Sequence, residues 1–240
     1  MKRTLLLLCL AAFSALPAAA VRWFVGVAGG YDYNYYSIET QYAYDMRYKG
    51  LSGLCVGVPV QLDVVDWFAL RMDLQYVQKN HKMYRSNAYN GAYTNTHDHY
   101  LQLPVLFNFS FGGDRVRGYA SVGGYMGCWL ASHREGVAFP ANSRIYTPSY
   151  SFDEYRELDT KHDNRFDAGA AGNLGLRVKI DERMAFFAEC AIFYGLVSTE
   201  KIKNKVSPTP RYNTTYALQV GLLFALDRRA YTKHKTSEER

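Results

Sequence analysis

Cysteine is scarce in this chain of 240 residues. Four are present: Cys9, Cys55, Cys128 and Cys190. Cys9 lies in the leading apolar stretch, and the other three are an odd number, each inside a strand-like run. That excludes a disulfide framework, and no spacing matches a metal site. The three read as small apolar fillers. Long apolar runs are missing too. Beyond residue 20 no run approaches the roughly 20 residues a membrane-spanning helix needs. The basic excess is small and unclustered, which excludes the charged face of a nucleic-acid binder. Catalytic constellations are also thin. Aromatics are not: the chain holds 21 Tyr and 13 Phe, residues whose apolar bodies, and in Tyr a polar tip, suit membrane interfaces.

The first twenty residues read as a cleavable export signal. Lys2 and Arg3 supply the positive start, Leu5–Leu10 begin the apolar stretch, and Ala18-Ala19-Ala20 offers a small-residue cleavage site. Losing Lys2 and Arg3 takes the formal charge from +6 to +4. Residues 227–240, with Arg228, Arg229, Lys233, Lys235 and Arg240 against Asp227, Glu238 and Glu239, read as a solvated, charged periplasmic tail.

Between these ends, residues 21–226 divide into eight strand-like segments: Arg22–Tyr33, Leu51–Leu62, Trp67–Lys79, Asp98–Phe111, Arg117–Ser132, Arg165–Ile180, Met184–Ser198 and Tyr212–Leu226. Most alternate with period 2. In the third, Phe68, Leu70, Met72, Leu74 and Tyr76 oppose Arg71, Asp73 and Gln75. In the sixth, Leu174, Leu176, Val178 and Ile180 oppose Asn173, Arg177 and Lys179. The fifth is Gly-rich and ambiguous in face. The joints alternate long and short. Asp63–Asp66, Gly112-Gly113-Asp114 and Asp181-Glu182-Arg183 are tight turns, whereas the segments up to Gly50, Asn80–His97, His133–Asn164 and Thr199–Arg211 are long.

This asymmetry is that of an eight-stranded antiparallel up-and-down transmembrane β-barrel, all-β, with four longer extracellular loops and three short periplasmic turns. A soluble sandwich or lipocalin-like barrel also alternates. Here, however, the apolar face is continuous while the opposite face mixes small residues with full charges. Eight strands leave an interior just wide enough for side chains. A lumen network is therefore expected, with Arg71, Arg177 and Lys179 pairing with Asp73, Asp167 and Glu189, because unpaired buried charges are costly.

The closing segment, Gln219-Val220-Gly221-Leu222-Leu223-Phe224-Ala225-Leu226, resembles the C-terminal β-signal of bacterial outer-membrane barrels, with Gln219, Gly221, Phe224 and Leu226 in the signal positions. That implies the outer-membrane assembly machinery as a partner. Residues Tyr100-Leu101-Gln102-Leu103-Pro104-Val105-Leu106-Phe107-Asn108-Phe109, followed by Arg117-Gly118-Tyr119-Ala120-Ser121-Val122-Gly123-Gly124-Tyr125 and by Asn164-Arg165-Phe166-Asp167-Ala168-Gly169, resemble the PorT-like family of outer-membrane β-barrel proteins. The resemblance spans most of the mature chain. It implies a barrel in the bacterial outer membrane, and, from one namesake, a role beside type IX secretion proteins. It brings no catalytic residues.

Few side chains suggest chemistry of their own. His97 and His99 share a strand face but lack a third ligand, so they read as interfacial histidines and no metal is assigned. Ser132 and His133 are neighbours on a strand, point to opposite faces and read as non-catalytic. Tyr35, Tyr36, Tyr42 and Tyr44 form a candidate recognition surface in the first loop, because Tyr offers contact area at small entropy cost, although Tyr31–Tyr36 fit better as an aromatic girdle with strand extensions above the membrane. The expected function is a non-enzymatic barrel without cofactor, set in outer-membrane lipid, acting as anchor, scaffold or presenter of loops. The alternatives are a component of a type IX-like secretion system and a narrow pore. Nucleic acid is not an expected partner.

Overall fold

The computed structural model describes residues 22–38, 45–86, 90–139, 149–201 and 210–226. Residues 1–20, expected to be an export signal, residues 227–240, expected to be a charged tail, and Tyr42 and Tyr44 lie outside the described residues. Ten strands are formed: β1 (Arg22–Ile38), β2 (Met46–Val65), β3 (Phe68–Gln78), β4 (His81–Arg85), β5 (Tyr93–Gly112), β6 (Val116–Ala138), β7 (Tyr150–Arg156), β8 (Phe166–Lys179), β9 (Met184–Gly195) and β10 (Arg211–Ala225). Their antiparallel pairings join into a ring that β1 and β10 close, from Phe24 opposite Ala225 to Ile38 opposite Arg211. Two of the eight staves are split. β3 and β4 share one stave between β2 and β5, and β7 and β8 share another along β6. Closure removes the unpaired strand edge, whose N–H and C=O groups lipid cannot satisfy.

The long polar segment Asn80–His97 and the long loop His133–Asn164 are thus partly strand. β4, the first residues of β5, the end of β6 and β7 extend the wall beyond the apolar band. Local polarity hides them, since a strand with water on one side and a polar lumen on the other has no apolar face to show. At the junction of β3 and β4 the stave stays attached to both neighbours: Lys79 N–H donates to Asp98 C=O (2.8 Å), and the Asn80 amide donates to Ser52 C=O (2.7 Å).

Side chains alternate inside out relative to a soluble protein. Val27, Leu54, Val56, Val122, Leu174, Leu218 and Val220 are exposed, while Arg71, Asp73, Gln75, Lys79, Gln102 and Glu189 are buried. Along β10 and the residue that follows it, the outward positions stay apolar from Tyr216 to Leu226. At a rise of about 3.4 Å per residue and a tilt near 40°, that run stands about 25 Å high, the height of an outer-membrane apolar band. Exposed Tyr31, Tyr194 and Tyr216 lie at its upper rim. Trp67, Phe109 and Phe111 lie at its lower rim, with Trp67 stacked on Phe109 at 6.3 Å between centroids. Among the described residues no helix is long and apolar enough to cross a membrane; the crossing is made by strands.

Two prolines sit within the sheet. Pairing of β3 with β5 lapses between Met72–Val105 and Gln75–Gln102, opposite Leu103-Pro104. Pairing of β1 with β2 lapses between Val25–Val60 and Ala28–Gly57, opposite Val58-Pro59. Proline has no N–H to donate to the ladder. At the turn from β5 to β6, Gly112 takes φ 118°, a left-handed value that suits glycine, and Gly113 N–H closes on Val116 C=O.

Candidate functional site

The lumen is a stack of polar layers. At its short-turn end Arg177 reaches Asp63 at 3.3 Å and lies 5.7 Å from the Phe24 ring centroid. Above it sits Arg71, the largest fully buried side chain, 1% exposed. Its guanidinium donates to both Glu189 oxygens (2.7 and 3.0 Å) and, through Nε, to Asp73 (2.8 Å). The Tyr119 hydroxyl donates to Glu189 at 2.6 Å, and the Phe187 ring lies under the guanidinium at 4.8 Å. Gln102 donates to Gln75, whose own amide points to Asp73 and Gln219.

The next layer holds Lys79, which is fully buried. It donates to Asp167 at 2.7 Å and lies 4.9 and 4.7 Å from the Tyr100 and Tyr125 ring centroids. The Tyr125 hydroxyl also donates to Asp167. Asn34, Asn213 and Thr215 close this level through amide and hydroxyl bonds of 3.0 and 2.8 Å. Charges this deep persist only when paired and hydrogen-bonded, and the Arg71–Glu189 and Lys79–Asp167 pairs join staves that are not neighbours in the ring. The arrangement is a plug.

Of the residues expected in the lumen network, Arg71, Asp73 and Glu189 meet in one cluster. Asp167 stands apart from it, with Lys79, and Arg177 is at the lower end with Asp63. Lys179 is not in the lumen. It is exposed at the last position of β8, where the wall ends and its ammonium reaches water. Lys79 is hard to place from sequence because it falls where the alternation of the third segment gives way to polar sequence. Its place one turn of alternation beyond Val77, on the side of Arg71, Asp73 and Gln75, was the available signal.

Gln219 is buried in the lumen, and Phe224 and Leu226 face outward. Gly221 faces inward under Phe187. A Cβ there would stand 2.4 Å from Val27 C=O and 2.5 Å from the Phe187 ring. Tyr35 and Tyr36, adjacent on β1, point to opposite sides. Tyr35 is exposed, whereas Tyr36 is buried, stacked on the His81 ring at 4.2 Å and within 3.1 Å of the Thr199 hydroxyl.

Tyr36 lines a cavity of about 240 Å³ in the mouth above the plug. Its walls include Tyr48, Trp129, Asp98, Arg134, Arg156 and Arg211. Arg156 pairs with Asp163 at 2.5 Å and Arg211 with Glu200 at 2.7 Å. Asp98 approaches His81 at 3.7 Å. The exterior of the wall at this height is polar: His133 meets Asp153 at 2.6 Å, and Asn95 donates to Glu135 at 3.0 Å. The cavity therefore lies above the apolar band, on the side of the long connections. In the loop joining β7 to β8 the Asp159 carboxylate accepts the Lys161 N–H and bonds His162 (2.5 Å), and these contacts hold its pKa below the usual value. His97 and His99 face outward on β5, His99 bonding the Tyr76 hydroxyl at 2.5 Å. No group of three metal-ligating side chains occurs among the described residues. Ser132 is buried facing the lumen and His133 faces out.

Residues 16–200 match the family model described as outer membrane protein beta-barrel domain. The chain belongs to that family. It is a β-barrel protein of the bacterial outer membrane, which makes the exposed apolar band its lipid face. Among solved structures it is similar in overall shape to Neisserial surface protein A (10% identity, 85% of this chain and 98% of that one covered, TM-score 0.42). It is also similar to Ail, the attachment invasion locus protein of Yersinia pestis (11% identity, 84% and 98% covered, TM-score 0.41), and to the outer membrane protease OmpT of Escherichia coli (7% identity, 85% and 96% covered, TM-score 0.48). These are likenesses of shape and bring no activity to this barrel. Among curated proteins, none matches the sequence.

Proposed function

We propose that this barrel is a closed, non-enzymatic surface protein. It is anchored in outer-membrane lipid and presents the long connections and the walled mouth above the band to the outside. The carrying observation is the plug: Arg71 joined to Glu189 and Asp73, with Lys79 joined to Asp167 one layer higher, filling the interior with side chains bonded across the barrel. Such a lumen supports anchoring and presentation over the narrow-pore alternative, because ion passage would require opening charge-assisted bonds at two levels. In this reading Gln219, Gly221, Phe224 and Leu226 are the segment that the outer-membrane assembly machinery takes up.

The test is conductance of the purified barrel in a planar bilayer. The expected result is no unitary steps in the wild type. Steps that change when Arg71 is neutralised would establish the pore and overturn the proposal.

The PorT-like resemblance supports a narrower version, in which the same barrel docks secretion-system proteins. A deletion strain tests it: cargo accumulating in the periplasm, restored by complementation, supports docking. Normal cargo at the surface removes that version and leaves the anchored presenter.

A further inference from the structure

The cavity in the mouth is lined by three arginines and three carboxylates, and Arg134 and Asp98 are left outside the two Arg–carboxylate pairs, with Asp98 Oδ1 buried and without a partner, an acceptor for a donor that enters. Arg156 has Asp163 and Arg211 has Glu200, but Arg134 stands in no ion pair and makes no hydrogen bond among the described residues, and its Nε is buried without a partner. The Nε of Arg211 is likewise buried and unpartnered. Both residues line the same space. Both side chains are half-buried, but these two Nε atoms are fully covered, and buried polar atoms are almost always satisfied, most of all where the donor belongs to a charged group. Two such donors converging on one cavity call for an acceptor that enters it. A planar carboxylate matches the fork of a guanidinium better than any neutral group.

The remaining wall narrows the chemistry. The volume, about 240 Å³, lies below the range of drug-sized sites. Tyr36, Tyr48 and Trp129 supply aromatic surface, and Asp98 supplies a carboxylate, an acceptor for hydroxyl groups. An inorganic anion uses the guanidinium groups and leaves the aromatics and Asp98 without purpose. A neutral sugar uses the aromatics and Asp98 and leaves Arg134 open. We infer that this cavity is a binding site for an acidic sugar of one pyranose ring. Its carboxylate is taken by Arg134 and Arg211, its hydroxyls by Asp98, and its ring lies against the aromatic wall.

This rests on the reading of the mouth as the outward, presenting end of a closed barrel. The chain has three tryptophans, and Trp23 and Trp67 stand at the lower rim, far from the cavity. A Trp23→Phe/Trp67→Phe barrel in detergent therefore reports the site through Trp129 alone. Glucuronate is the probe, with glucose as the ring without charge and acetate as the charge without ring. Glucuronate is expected to shift Trp129 emission saturably in the millimolar range, about 1 mM, with glucose and acetate at least tenfold weaker. Arg134→Gln should weaken glucuronate at least tenfold, Arg134→Lys several-fold, and Lys179→Gln on the exposed rim not at all. Heat-dependent gel mobility checks that each variant is a folded barrel. Should Arg134→Gln not fold, Arg134→Lys, which keeps the charge and loses the fork, carries the comparison. Emission that stays flat with glucuronate up to ~10 mM overturns the inference. So does glucose binding as tightly as glucuronate, or affinity unchanged by either Arg134 variant. A flat titration of a non-conducting barrel removes the ligand alone, whereas conductance steps remove the closed-barrel reading beneath it.

Discussion

Replacing Arg71 with Met should be among the most damaging single changes in the lumen. The guanidinium makes three charge-assisted bonds, two to Glu189 at 2.7 and 3.0 Å and one to Asp73 at 2.8 Å, at 1% exposure. Methionine fills part of the volume and restores none of the bonds. Glu189 keeps the Tyr119 hydroxyl and Asp73 keeps the Gln75 amide at 3.3 Å, so two carboxylates remain buried with neutral donors only. Breaking a buried ion pair from one side costs about 3–5 kcal/mol, chiefly because the partner charge is stranded. Removing the whole cluster strands nothing, so Arg71→Met/Asp73→Asn/Glu189→Gln should recover most of the loss, to within about 1 kcal/mol of wild type. The assay is urea unfolding of the barrel in lipid vesicles, scored by the heat-dependent gel shift of the folded form. A single variant within about 1 kcal/mol of wild type would refute the reasoning, since the pair would then carry no stranding cost. A triple variant no more stable than the single one would refute it equally.

Other perturbations test other layers. Lys79→Met leaves Asp167 with the Tyr125 hydroxyl alone and should cost about 3–5 kcal/mol, with Asp167→Asn restoring most of it in the double variant; the same unfolding assay reads both. Gly221→Ala drives a Cβ against Val27 C=O and the Phe187 ring and should cost about 1–3 kcal/mol and lower the yield of assembled barrel. Gly29→Ala, whose Cβ meets nothing within 4 Å, should leave that yield unchanged. Charge on the lipid face should hurt by depth: Val220→Arg in mid-band costs about 2–4 kcal/mol and Leu226→Arg at the rim about 0–1. Equal costs in vesicles would place the bilayer elsewhere on the barrel.

Much of the architecture was legible along the chain because two strong local signals coincide. Alternation such as Leu70-Arg71-Met72-Asp73 assigns each residue to lipid or lumen without knowledge of any neighbour, and the three tight turns, Gly112-Gly113-Asp114 most plainly, mark one end of the barrel. The signal failed where its cause failed. β4 and β7 stand in water, so His81–Arg85 and Tyr150–Arg156 carry no apolar face to betray them. Among site residues, Arg71, Asp73 and Glu189 could be put on the inner face from parity, but Lys179, of the same parity, belongs outside because the wall stops there.

The sequence alone, then, determined the class of solvent on each side of most strands of the apolar band, since a period of two and the hydropathy of single residues are local properties. Which charge meets which is not local. Arg71 finds Glu189 across 118 positions and Lys79 finds Asp167 across 88, and those meetings depend on strand register and on how far each stave rises, quantities set only when the ring closes. The same closure brings Arg134 and Arg211 to one cavity, from staves far apart along the chain, and leaves their buried nitrogens without a partner there.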